Sequence, residues 1–225
     1  DVMLPTFAVI AEEMRTPIEH VQALIPVFLI AAGCGQLFSG PASDRFGRRP
    51  LMLSGLVLFS VGTAICAIAG SIFALQIGRV VQGLGAVSGP VTAFLADLTR
   101  PEARTRAMFA IGMSIGATFV ISLVAGPLLA AAVGVAGVFW LIGGLGLVAL
   151  ALVVFVLPAE RPMRERAERG DWREALTRTL LPHYAGIFVL HLTLTAAFIA
   201  VPQVLRDVHG LEASRHWIVY LGVFA

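Results

Sequence analysis

The sequence predicts an all-α protein that crosses a membrane several times. Three observations carry this. Hydrophobic residues make up 58% of 225 and charged residues 13%, where soluble domains carry about 25% charge. Mean hydropathy is +0.88. Apolar runs near residues 19–40, 51–69, 72–97, 105–131, 137–157 and 183–205 match the roughly 20 residues that a helix needs to cross hydrocarbon. None alternates with the period of two that a membrane β-barrel requires, so the spans are helices.

The ends add partial spans. The chain starts inside DVMLPTFAVIA and finishes inside HWIVYLGVFA, with no cleavable signal pattern. It reads as a fragment holding the end of span 1, spans 2 to 7 and the start of span 8. All 16 basic residues are Arg, and three segments hold Arg45, Arg48 and Arg49, then Arg100, Arg104 and Arg106, then Arg161, Arg164, Arg166, Arg169, Arg173 and Arg178. The alternate loops hold only Arg15, Arg206 and Arg215. This asymmetry assigns the three Arg-rich loops to the cytoplasm. The arginines sit in separate short loops among acids, which argues against nucleic-acid binding. Cys34 and Cys66 fall within spans and suggest neither a disulfide framework nor a metal site.

In span 1, Asp1 lies well inside the membrane if the preceding residues complete a helix. An ionisable group there costs at least ~2.5 kcal/mol and suggests function or a partner; the other reading is a solvated helix end. The following EEMRTPIEH is acidic and fits the outer side. Span 2 carries Gly33, Gly35 and Gly40 with Ala31 and Ala32, a small-residue surface for close packing.

Between spans 2 and 3 lies Gly40 to Leu51, GPASDRFGRRPL, expected as a tight loop. Gly40 and Gly47 would permit close approach or positive φ. Asp44, Arg45, Arg48 and Arg49 are more charge than a short turn needs. The pattern G-x-x-x-D-R-x-G-R-R resembles the loop between helices two and three of the major facilitator superfamily of secondary transporters. With DVMLP in span 1, GQLFSGPASDRFGRRP resembles the bicyclomycin- and chloramphenicol-type drug exporters of that superfamily. Ala42 departs from the Leu that usually stands two residues before the Asp.

A short link at Gly70-Ser71 leads into span 4, where IGRVVQGLGAVSG holds Arg79, Gln82, Gly83, Gly85 and Gly89. Arg-x-x-Gln-Gly resembles the superfamily's second signature. Arg79 is too deep to be certain of reaching the interface by snorkelling, and needs carbonyls, water or an acid; backbone at a Gly-rich crossing is the alternative to an acid. Span 4 ends in ADLTRPEARTRAM. From here to about residue 157 the chain resembles inner-membrane transporters that bear a small soluble domain after helix twelve. That resemblance implies a pairing of Asp97 with Arg48, with Asp44 nearby; the alternative is that all three are solvated independently. In span 5, Gly126-Pro127 resembles part of the antiporter signature and predicts a helix kink, although Leu128, Leu129 and Ala130 stand where a Gly-Gly pair should follow.

Residues 159–181 form the longest polar stretch. Asp171 and Glu174 suggest a capping box, and Trp172, Leu176 and Leu180 recur at the spacing of an interfacial helix. Span 7 contains His191, Thr193 and Thr195; His191 is either a proton or substrate contact or a hydrogen-bonded interior residue.

The resemblance implies a major facilitator superfamily helical bundle: an N-terminal six-helix half at 1–157, a cytoplasmic central loop at 158–182, and the start of the C-terminal half at 183–225. Halves of this superfamily contain inverted repeats with substrate sites near the midplane. Spans 1, 4 and 7, which open successive triplets, carry Asp1, Arg79 and His191. The function this implies is proton-coupled efflux of drug-like or amphipathic small molecules by a monomer in the inner membrane, with proton-driven metabolite uptake as the alternative. Small-molecule substrate, protons and lipid are the expected partners, with no cofactor and no metal. No Ser-His pair, metal-ligand spacing or helically spaced carboxylate pair points to an intramembrane enzyme.

Overall fold

A computed structural model describes residues 7–157 and 177–208, together with 210 and 219. The chain divides into two compact units, Asp1–Met163 and Arg164–Ala225.

In the first unit, α1 (Phe7–Glu13) and α2 (Ile18–Gln22) precede α3 (Leu24–Phe46), α4 (Arg48–Ala67), α5 (Ile72–Leu84), α6 (Ser88–Leu98) and α7 (Pro101–Phe155). Among the described residues, Ile18–Phe46, Arg48–Ala67, Ile72–Leu98, Pro101–Ser122 and Leu128–Phe155 are long and apolar enough to cross a membrane. The second unit contains α8 (Leu181–Asp207), which covers the expected seventh span.

Helix ends follow local chemistry. Ser71 caps α5 by accepting a hydrogen bond from the Ala74 amide at 3.3 Å. Pro101 starts α7, where its missing amide costs nothing. The expected loop from Gly40 to Leu51 is instead helical except for one residue. α3 runs through Gly40, Pro41 and Asp44 to Phe46, and α4 starts at Arg48. Gly47 alone makes the turn, with φ 98° and ψ 155°, a conformation open chiefly to glycine. Gly40 sits inside α3 and a Cβ there would touch nothing, so it provides neither positive φ nor close approach.

Two breaks were not legible beforehand. Span 4 is interrupted between Leu84 and Ser88. In α7 the non-helical residue is Gly134, at φ 69° and ψ 177°, whereas the backbone is helical through Gly126 and Pro127. A positive-φ glycine redirects the chain more sharply than a proline, which removes one donor but keeps helical φ.

The core is arranged along α4. Cys66 and Ala67, at its end, pack with Ile10, Val21, Leu24, Leu75, Val135 and Phe139. Met52 and Leu56, near its start, pack with Phe94 and Val153. The part of α7 after Gly134 therefore runs antiparallel to α4. Small residues bring the axes close: a Cβ on Gly62 would run into the backbone of Gln82, and one on Gly83 into the Phe28 carbonyl. On the face of α3 expected to be small, Gly35 meets Leu84, whereas Gly33 meets nothing. The most apolar stretch of Pro101–Ser122 buries none of its residues.

Candidate functional site

Two polar clusters stand out in the first unit. The deeper one surrounds Arg79, which is only 3% exposed. Arg79 Nε donates to the Leu24 carbonyl at 3.4 Å and Nη1 to Gln82 Oε1 at 2.7 Å. Gln82 Nε2 donates to Thr63 Oγ1 at 2.8 Å, and that hydroxyl donates to the Phe59 carbonyl at 2.7 Å. The guanidinium lies 4.2 Å from the centre of the Phe28 ring, within range of a cation–π interaction. One chain of hydrogen bonds thus joins α3, α4 and α5.

The spacing explains how this forms. Arg79 and Gln82 are three apart and share one helix face, and the glycines beside them let α3 and α4 come close enough for short polar side chains to meet. Among the described residues, no buried side-chain nitrogen or oxygen lacks a hydrogen-bond partner, as a low-dielectric interior demands. Asp1, the expected acidic partner of Arg79, lies outside the described residues.

The second cluster sits at the Gly47 turn. Arg48 Nε donates to Asp97 Oδ2 at 2.6 Å, and its Nη2 lies 3.3 Å from Asp44 Oδ1. Arg48 Nη1 also donates to Ser43 Oγ at 3.1 Å. The Asp97 contact joins the start of α4 to the end of α6. Arg49 joins α4 to α7, with Nε donating to the Val153 carbonyl at 3.2 Å and Nη2 to the Val154 carbonyl at 2.7 Å. These are terminal carbonyls of a helix, where a cation is favoured. Arg45 turns outward, its guanidinium 5.3 Å from the Phe46 ring centre.

In the second unit His191 is exposed, and its Nδ1–H donates to the Ile187 carbonyl at 2.9 Å. Gly126 is buried, and the backbone is helical through Gly126 and Pro127. The polar segment at 158–176, with Asp171, Trp172, Glu174 and Leu176, lies outside the described residues, and Leu180 forms the N-cap of α8.

Several contributors were missed by sequence reasoning. Thr63 and Ser43, both within 1% of full burial, carried no motif signal beyond being hydroxyls in or beside an apolar span. Gln36 Nε2 donates to Ser88 Oγ at 2.8 Å, a polar contact between α3 and α6 at the interruption of span 4. An apolar cavity of about 340 Å3 is lined by Leu56, Phe59, Val87, Ile142 and Leu145, among others, with no ionisable group among its described lining residues.

The sequence profile of the Major Facilitator Superfamily matches residues 1–225. The chain belongs to the major facilitator superfamily. Its membership, with five membrane-length helices and only helical elements among the described residues, makes it a multi-pass membrane protein. It is 37% identical over 202 residues to the inner membrane transport protein YajR of Escherichia coli K12, covering 88% of this chain and 44% of that protein. An uncharacterized transporter of Buchnera aphidicola subsp. Schizaphis graminum is 34% identical over 190 residues, 82% of this chain and 48% of its own length. The multidrug resistance protein MdtL of Escherichia fergusonii is 26% identical over 213 residues, 92% of this chain and 54% of its own. The chain spans about half the length of the relatives it matches.

Proposed function

We propose that the full-length protein is a secondary transporter of the inner membrane that exports drug-like or amphipathic small molecules in exchange for protons. The observation that carries this reading is the buried Arg79–Gln82–Thr63 chain. A cation held deep in a membrane bundle, tied to three helices, is a group whose partners change when a proton arrives. Asp1 is the proposed proton acceptor: its protonation weakens the attraction to Arg79 and couples proton entry to rocking of the two halves. His191 is proposed to face the same path from span 7. Residues 1–157 form the first half, 158–182 the cytoplasmic connection and 183–225 the start of the second.

The cytoplasmic cluster of Asp44, Arg48 and Asp97 is proposed as the switch. It ties α4 to α6 in one state and loosens in the other, so that a modest interaction biases two populations. The names of MdtL, a multidrug resistance protein, and YajR, an inner membrane transport protein, support export and location respectively.

The test uses full-length protein in proteoliposomes with an imposed pH gradient. Export predicts accumulation of a fluorescent amphipathic cation against its gradient when protons flow the other way. Flux in the same direction as protons would instead establish uptake. Asp1→Asn should abolish proton-driven transport and retain substrate exchange; normal proton-driven transport by that variant would remove Asp1 from the coupling step.

A further inference from the structure

Ser43 was not singled out by any motif, yet it is the buried neighbour of the charged cluster. It is 1% exposed, whereas the side chains of Asp44 and Asp97 are 66% and 39% exposed. Its hydroxyl donates to the Gly40 carbonyl at 2.8 Å and accepts from Arg48 Nη1 at 3.1 Å. The first bond fixes the hydroxyl on the last turns of α3, with its lone pair toward α4. The second uses one edge of a rigid planar fork. Because the guanidinium is planar, holding Nη1 sets the direction of Nε, which is the atom that reaches Asp97. Asp44 is mostly in water and its attraction falls with ionic strength; a buried hydroxyl bond does not.

We propose that Ser43 is a positioning residue for the cytoplasmic switch, aiming the Arg48 guanidinium at Asp97. It acts through Arg48 and keeps the α4–α6 tie directional where screening weakens the ion pairs. This rests on the reading of Arg48 and Asp97 as a switch, and the experiment separates the two.

Spin-label distances across the cytoplasmic face of the full-length protein report the ratio of its two states. Ser43→Ala and Ser43→Cys, the second close to serine in volume but a poor acceptor, should shift that ratio in the direction of Arg48→Ala, by about tenfold for loss of a hydrogen bond to a charged group. In an Asp97→Asn background the same substitutions should add little, because Arg48 has lost the partner it was aimed at. If Arg48→Ala and Asp97→Asn themselves leave the distances unchanged, the switch reading fails. If those two shift the distances and the Ser43 variants do not, the positioning role is rejected. Equal Ser43 effects with and without Asp97 would assign Ser43 to helix packing, as would loss of the folded state in both Ser43 variants by thermal melting.

Discussion

Asp44 and Asp97 both face Arg48, and the distances rank them. The Asp97 contact is shorter, 2.6 against 3.3 Å, and less exposed. An exposed pair adjacent in one segment contributes only ~0–1 kcal/mol, which salt reduces further. Asp97→Asn should therefore slow transport more than Asp44→Asn, and the Asp44→Asn deficit should shrink at high ionic strength. Transport rates measured at low and high salt check this; a larger effect at Asp44 would mean that the solvated carboxylate does the tying. Thr63 offers a separate test of the deep cluster. Thr63→Val keeps the shape but removes the acceptor for Gln82 Nε2, leaving a buried amide donor unsatisfied at a cost of about 1–3 kcal/mol. A fall in thermal stability of the full-length protein is expected, and an unchanged melting temperature would show that Gln82 finds another acceptor.

At the scale of elements, what the sequence disclosed depended on the length of the signal. Spans 2, 3 and 6 stood out as long apolar runs, and the pairing of Arg48 with Asp97, implied by resemblance, is a contact of 2.6 Å in the structure. Breaks were less legible because the Gly47 turn and the Gly134 break each hang on a single glycine, and the interruption of span 4 takes only the three residues Gly85 to Val87. Gly134, Gly126 and Gly40 look alike in sequence; only the first has a positive φ. Likewise the charged stretch at 40–51 looked like a loop because it is polar, although a helix can carry charge past the membrane edge and turn on Gly47 alone. Thr63 was invisible for a different reason: its partner Gln82 is on another helix, and one hydroxyl leaves hydropathy almost unchanged. These glycines predict opposite outcomes. Gly47→Ala should destabilise the protein by roughly 1–3 kcal/mol, because φ 98° strains any Cβ. Gly40→Ala fills open space within a helix and should be neutral or slightly stabilising. Paired melting curves test both; a large loss at Gly40 would place another segment of the longer protein against it.

For the whole molecule the question is which end of the first unit faces the cytoplasm. Arg48 bound to Asp97 and Arg49 bound to the Val153 and Val154 carbonyls bring three chain positions to one end: the Gly47 turn, the Thr99–Arg100 link and the end of α7. The Glu12–His20 connection is at the other end, since Ile10 and Val21 on either side of it pack with Cys66, Ala67 and Phe139. These contacts are independent of charge counting, yet they collect the first two Arg-rich segments on one side and leave the acidic connection opposite. On the positive-inside rule the proposed orientation puts this Arg-rich end in the cytoplasm, and the same rule proposes that side for the segment from Arg161 to Arg178. A single cysteine placed in that segment should react with a membrane-impermeant maleimide only after the cytoplasmic face is opened, whereas one at Glu12 to His20 should react in intact cells. Cys34 and Cys66 must first be replaced, Cys34 being exposed within its span. The opposite pattern of labelling would invert the molecule, placing the Arg48 cluster outside and leaving the proposed switch without a cytoplasmic role.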